Sequence, residues 1–380
     1  MNGATVVVVG GGVTGLSAAW WLAQDGVDVL VLDRGVVGWE ASGRNGGGCT
    51  HIQSPLFAEE QRLWPTMDER LGHPTEWRPH RIRISLGDED LAIEAALVAA
   101  GREIGRECTV LDGPAIRELV PIAGDDAHRG VFTDFGGHAN PQRTAQAYAW
   151  ALARLGGRIE QHCAVTGFDV AGGRVVAVLT ERGRLGCDAV VLAAGPHTAT
   201  LAAMLGVTVP LAAARNEILA TEALEPMRHG GVDGNGLYGR QTLRGNLVYG
   251  GGPHEWLGDA PHHPNPTSPL IRSIAGRLAA LFPRAAHAQV IRSWSGTVET
   301  TPDGRPVLDR LNDPANLTVA TMSSVGFGLS PASGHAIAEL VMHGECRFAD
   351  LGALRLSRFG NLPADWRARR GWVEPELAAA

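Results

Sequence analysis

The sequence predicts an α/β protein: a Rossmann-like nucleotide-binding domain on a central parallel sheet, carrying an inserted mixed-sheet (α+β) second domain. Three observations carry this. The chain opens on a strand, a glycine loop, a helix and a second strand between Thr5 and Leu32. Its 380 residues exceed the length at which one hydrophobic core normally stops growing. Strand-rich stretches punctuated by polar turns, from about Arg81 to Thr133 and from Val209 to about Trp294, interrupt the α/β pattern twice. The expected division gives residues 1–80, 138–208 and 300–380 to the nucleotide-binding domain, and 81–137 with 209–299 to the second.

Taken in order, Thr5–Val9 is a β-branched run and reads as the first strand. After the glycines, Leu16, Ala19, Trp20 and Leu22 fall at helical spacing, and Val27–Leu32 reads as a buried second strand. Pro141–Leu155 predicts an amphipathic helix with Leu152 and Leu155 on its apolar side. Val175–Thr180 and Ala189–Ala193 read as strands, and the Pro-, His- and Gly-rich segment His254–Ser268 as an exposed loop. A last helix is expected at about Ala332–Met342, after another glycine cluster.

Composition excludes several functions. A net charge of −7 offers no basic footprint for nucleic acid. With 44% hydrophobic and 19% charged residues, the chain has the makings of a packed core rather than a disordered segment. There is no lysine, so all 33 basic residues are arginine, which removes Schiff-base chemistry and the Walker-type phosphate lysine. The five cysteines are scattered with no CxxC pair, so neither a disulfide framework nor a zinc site is expected, and no metal. The N-terminal apolar run ends at Gly10, too short to cross a bilayer and without a basic leader region, which together predict a cytoplasmic protein with no membrane span.

Gly10-Gly11-Gly12-Val13-Thr14-Gly15 is a G-x-G-x-x-G sequence between strand and helix. Gly10 permits the tight turn, Gly12 lets the backbone approach a pyrophosphate, and Gly15 permits close helix–strand packing. The helix start, with Val13 and Thr14, offers N–H groups and the positive end of the helix dipole to phosphate. Asp33, followed by Arg34, ends the second strand, where a carboxylate accepts hydrogen bonds from an adenosine ribose. An acid there argues against a 2′-phosphate. This fingerprint implies a dinucleotide and leaves NAD and FAD both open.

Later segments separate them. Gly38-Trp39-Glu40-Ala41-Ser42-Gly43-Arg44-Asn45-Gly46-Gly47, Val190-Val191-Leu192-Ala193-Ala194-Gly195, Trp294-Ser295-Gly296 with Thr301-Pro302-Asp303-Gly304, and Ser324-Val325-Gly326-Phe327-Gly328-Leu329-Ser330 occur in that order. Together they resemble the glycine/D-amino-acid oxidase family of flavoproteins. Gly136-Gly137-His138-Ala139-Asn140-Pro141 is most similar to the γ-glutamylputrescine oxidase and sarcosine oxidase-like branch. The resemblance implies a non-covalent FAD, with Ser42, Gly43, Arg44, Asn45, Gly46 and Gly47 along its pyrophosphate and toward the flavin. It adds Val165, Ala194 and Gly195 beside the dinucleotide, and Gly326, Gly328, Leu329 and Ser330 near the flavin pyrimidine. It further implies oxidation of a C–N bond of a small amine or amino acid by hydride transfer to flavin N5. An imine and then a carbonyl compound follow, with oxygen or another acceptor taking the electrons. The alternatives are a dehydrogenase for D-amino or imino acids, and a non-catalytic flavoprotein subunit.

The chain departs from that family at the substrate. Where amino-acid-oxidising members place a carboxylate-clamping arginine, this chain has Val298, followed by Glu299. Glu299 is a candidate to attract a cationic amine, and Arg44, Arg215 or Arg240 are candidates to supply a clamp from elsewhere. The covalent-attachment cysteine of monomeric sarcosine oxidases is absent from the same segment. His51 and Tyr249 complete the catalytic candidates, with Tyr238 as a pocket wall, whereas His138 and His197 read as structural.

Overall fold

A computed structural model describes residues 6–252, 255–257, 270–363, 365 and 366. The loop expected at His254–Ser268 lies almost wholly outside those residues. The first strand, β1 (Val6–Val9), runs into a helix, α1 (Val13–Gln24), and a second strand, β2 (Val29–Leu32). Val6–Val9 and Val29–Leu32 are buried throughout, as parallel strands covered on both faces must be.

β1 and β2 sit inside a six-stranded sheet with Arg158–Glu160 on one side and Ala189–Leu192, Leu317–Thr321 and Val307–Arg310 on the other. All neighbours pair in parallel except Val307–Arg310, which runs antiparallel at the edge. Helix α1 packs on this sheet between the Pro141–Arg154 and Gly326–His343 helices, around Leu16, Trp20, Tyr148 and Ile337. Segments between 165 and 186 form a separate three-stranded meander.

The stretches 78–138 and 212–300 build the remaining sheets. One contains Arg78–Ser85, Cys108–Asp112, Arg129–His138 and Val232–Asp233. The other contains Ala212–Ala223, Leu237–Gln241, Asn246–Gly251, Glu255–Trp256 and Val290–Thr300. Backbone bonds from Gln241 N–H to the Gly230 carbonyl (2.7 Å) and from Ile82 N–H to the Gly231 carbonyl (2.9 Å) stitch the two edge to edge. The joined sheet buries one face under helix Leu270–Leu281, around Tyr249, Leu219, Ile274 and Phe282. Its other face, with Tyr238, Ile218, Val248 and Trp294, turns toward the 44–47 loop.

The mixed α/β architecture with a parallel sheet agrees with the sequence reading, but the strand-rich stretches also hold helices that reading omitted: Asp88–Glu103, Gly113–Leu119 and Leu270–Leu281. The final helix starts at Gly326 rather than near Ala332, so the glycine cluster belongs to its first turns. No helix of the described residues is long and apolar enough to cross a membrane.

Candidate functional site

Where β1 meets α1 the backbone leaves no room for side chains. Gly10 sits at φ +113°, and a Cβ there would run into the Ala193 carbonyl just past the end of the neighbouring parallel strand. A Cβ on Gly15 would collide with the Gly10 carbonyl, so this third glycine closes the loop onto its own helix. Gly12 caps α1, and the Ser42 Oγ, 2.9 Å away, accepts the Val13 N–H. The next first-turn N–H, on Thr14, has no intrahelical acceptor. Asp33 is held by two backbone donors, Gly11 N–H and Gly35 N–H, each 2.7 Å from a carboxylate oxygen.

These groups border a cavity of about 440 Å³, within the range of small-molecule sites. Gly10, Gly12, Val13, Thr14, Asp33, Arg34, Ser42, Asn45, Val165, Ala194, Gly195 and Gly326 all line it. So does Glu299, at the end bounded by Thr297, Val298, Met322, Ser324 and Phe327. Ser323 and Ser324 turn that end through two successive positive-φ residues, +48° and +74°. Ser323 Oγ is fastened to Thr301 N–H at 3.1 Å, and the Ser324 hydroxyl donates to the Glu299 carbonyl at 3.2 Å.

The remaining expected cofactor contacts stand outside the lining. A Cβ on Gly43 would strike the Gly38 carbonyl. Arg44, read as a partner for diphosphate, donates to the Trp39 carbonyl (2.8 Å) and the Ser295 carbonyl (3.0 Å), tying the loop to strand Val290–Thr300. A Cβ on Gly46 would crowd Tyr238 of the joined sheet, and one on Gly47 would strike the Ala139 carbonyl and then Arg240. Gly328 lies against the His51 ring, while Leu329 and Ser330 are fully buried in the helix. Residues that pattern reading missed line the cavity too: Val36, Trp39, Thr200, Met204 and Met322. Loop and helix positions of this kind carry no periodic signal.

The catalytic candidates are not brought together. His51 Nδ1 is 2.8 Å from the fully buried Glu60 carboxylate, which also accepts the His51 N–H at 3.0 Å. Tyr249 is fully buried, its hydroxyl donating to the Val232 carbonyl at 2.7 Å on the face away from the cavity. Glu299 accepts from Met322 N–H (2.9 Å) and the Thr321 hydroxyl (3.1 Å). Burial pushes its carboxyl above the ordinary value of 4.5, against these hydrogen bonds, so the charge is held less readily than on a free carboxylate and attraction of a cation is weakened.

That shift has a stability consequence. The fold binds the Glu299 proton more readily than the unfolded chain, so its contribution is full at low pH and is lost as pH rises through the raised folded-state value. Glu299→Gln keeps an oxygen for both donors and removes the charge. The variant's stability relative to the parent is expected to grow as pH rises above about 4.5. Melting curves from pH 4 to pH 8 check it; a gap independent of pH would refute the raised value.

The arrangement suits FAD on structural grounds. The loop admits only glycine at Gly10, a helix N-terminus meets an acid placed for ribose, and the cavity continues to a second polar end. Comparison with known proteins decides the family: residues 5–340 match the family described as FAD dependent oxidoreductase (DAO). The chain belongs to that family. Among its relatives, the sarcosine oxidase subunit beta of Rhizobium meliloti is 29% identical over 93% of this chain and 88% of its own length. The gamma-glutamylputrescine oxidoreductase of Escherichia coli is 28% identical over 94% and 86% respectively. The crystal structure of glycine oxidase from Geobacillus kaustophilus superposes with a TM-score of 0.85 at 24% identity, covering 94% of this chain and 99% of that one, and shares the fold. This member of the DAO family is therefore an FAD-dependent oxidoreductase of the amine and amino-acid group.

Proposed function

We propose that this enzyme oxidises the C–N bond of a small amine or amino acid held between the cofactor loop and the joined sheet, with 81–137 and 209–299 acting as its substrate domain. One observation carries the reading: the Tyr238–Trp294 face of the sheet sits directly on the loop that borders the cavity. Trp294 Nε1 donates to the Arg44 carbonyl at 3.0 Å, and Arg240 Nη1 to the Gly46 carbonyl at 2.7 Å. Bound FAD supplies the two-electron oxidising power; the chain supplies position and charge.

Gly12, Val13 and Thr14 would hold the diphosphate, Asp33 the ribose, and the Val298–Glu299 and Ser324–Gly326 end the distal part of the cofactor. Tyr238 and Trp294 would wall the substrate and exclude water. Oxidation of a neutral amine needs orientation rather than a side-chain base, and we assign no reacting proton to Tyr249 or His51. His51 acts as a positioning residue through its contact with the Gly328 turn.

Purified protein is expected to be yellow and to lose its absorbance near about 450 nm when mixed anaerobically with a substrate. Glycine, sarcosine, D-proline and putrescine derivatives form the first panel, and readmitted oxygen then tells an oxidase from an enzyme using another acceptor. Retention of colour with every amine and amino acid would overturn the catalytic reading in favour of a non-catalytic subunit.

A further inference from the structure

The segment that follows Asp33 is fixed more firmly than an exposed loop needs to be. Gly38 N–H donates to the Gly11 carbonyl of the glycine loop at 2.8 Å, and Trp39 N–H to the Val36 carbonyl at 3.2 Å. Val37 N–H donates to the Gln161 amide oxygen at 2.9 Å. Gly38 sits at φ +66°, and a Cβ there would come within 2.6 Å of Ala145 Cβ on the Pro141–Arg154 helix. Arg44 completes the frame. Its Nε donates to the Trp39 carbonyl, its Nη1 to the Ser295 carbonyl, and its guanidinium lies 5.0 Å over the centre of the Trp39 ring. Backbone and ring of Trp39 are thus both held, yet the residue is 61% exposed.

A side chain already held in this way loses little further freedom when a ligand covers it, and the ligand gains the burial of an aromatic ring. Trp39 lines the cofactor cavity, and so do Val36 and Met204, 45% and 50% exposed. Val36 and Trp39 follow β2, whereas Met204 ends the helix Thr198–Ala203, which follows strand Ala189–Leu192. β1 runs between those two strands, so the three apolar side chains come from both flanks of the glycine loop. Exposed apolar groups gathered on one rim mark a surface that a ligand or partner covers. Here the rim belongs to the cavity bordered by Gly12, Val13, Asp33 and Ser42, which names the occupant as the dinucleotide.

We propose that Trp39, held by Arg44 and acting with Val36 and Met204, closes over bound FAD and sets the rate at which this chain releases it. This rests on the assignment of the glycine loop to the cofactor diphosphate. The indole acts in two ways. It shields that stretch from water, which strengthens the hydrogen bonds between the start of α1 and phosphate. Its apolar area must also meet water again before the dinucleotide can leave, so the effect falls on dissociation rather than on association. Retention of the cofactor then depends on a residue outside the phosphate loop itself.

Two measurements test this. Oxidation of Trp39 by hydroxyl radicals, read by mass spectrometry, is expected to fall at least about 5-fold from the apoprotein to the FAD-loaded protein. Leu243 and Ile291, 57% and 62% exposed and outside the cavity lining, should react equally in both. Release of FAD is timed by the gain of flavin fluorescence on dilution of the loaded protein, and association by stopped-flow mixing of FAD with apoprotein. Trp39→Ala is expected to release FAD on the order of 10-fold faster at an unchanged association rate, with Trp39→Phe in between. Equal release from parent and Trp39→Ala, or equal oxidation of Trp39 with and without FAD, would overturn the cover. So would faster release matched by an equally slowed association, which would mean that Trp39 shapes the cavity instead of closing it. Protection of Trp39 with faster release by the alanine variant, in a protein whose Gly10→Ala variant binds FAD normally, would keep the cover and remove the diphosphate assignment.

Discussion

Gly10→Ala is expected to yield a protein without FAD. The position combines two independent obstacles. At φ +113° an L side chain is strained, at a cost on the order of 1–3 kcal/mol. The new Cβ also meets the Ala193 carbonyl and the Ala194 backbone, which directly follow the parallel strand next to β1 and have no flexible end to move aside. Relief requires β1 and strand Ala189–Leu192 to part, and Gly10, Ala194 and Gly195 line the cavity from both sides of that gap. Gly26→Ala separates strain from collision. Gly26 sits at φ +78° with no atom within 4 Å of its built Cβ. That variant should lose ~1 kcal/mol and keep its flavin. The ratio of flavin to protein absorbance after purification, with FAD titration of the apoprotein, reads both. Normal FAD affinity in the Gly10 variant would show that the loop is not the cradle.

The same loop shows why the cofactor half of the protein was legible and much of the rest was not. β1, α1, β2 and Asp33 follow from a short-range rule, in which β-branched strands, glycines at fixed offsets and one acid do their work within 30 residues of each other. The glycines at 46 and 47 obey a different rule. A Cβ on Gly46 would crowd Tyr238, and one on Gly47 would strike the Ala139 carbonyl and then Arg240, all far along the chain, and one sequence does not display those approaches. Helix Asp88–Glu103 was hidden for another reason. Its inward positions include Asp90 and Glu94, 6% and 3% exposed, paired with Arg83 and Arg129. A helix that turns carboxylates inward lacks the apolar stripe by which amphipathic helices are recognised. The carbonyl partners of Arg44 were not legible because a guanidinium suits carbonyl oxygens as well as phosphates; only the fold shows that Trp39 and Ser295 stand within its reach.

Glu60 separates a structural from a chemical part for His51. Its carboxylate is fully buried and accepts three hydrogen bonds, from the His51 backbone (3.0 Å), the His51 ring (2.8 Å) and the Gln61 amide (3.2 Å). Glu60→Ala strands those donors beneath a new cavity and is expected to destabilise the protein by ~3 kcal/mol. The His51 ring lies against Gly328 in the first turn of the last helix, so release of the ring should loosen that turn and lower FAD affinity as well. Glu60→Gln is the discriminating variant. Its oxygen can keep the backbone bond, but its NH₂ group, facing the ring, selects the tautomer in which Nδ1 accepts and Nε2 carries the proton. A histidine acting as base through Nε2 would be disabled, with a rate loss on the order of 100-fold or more at unchanged FAD affinity. A histidine that only props the Gly328 turn would be indifferent to the change of tautomer. The expected result is the second: the glutamine variant within ~1 kcal/mol of the parent in stability, with the same FAD affinity and the same rate of anaerobic bleaching. A slowed bleaching rate with FAD affinity intact would move His51 from positioning into the chemistry.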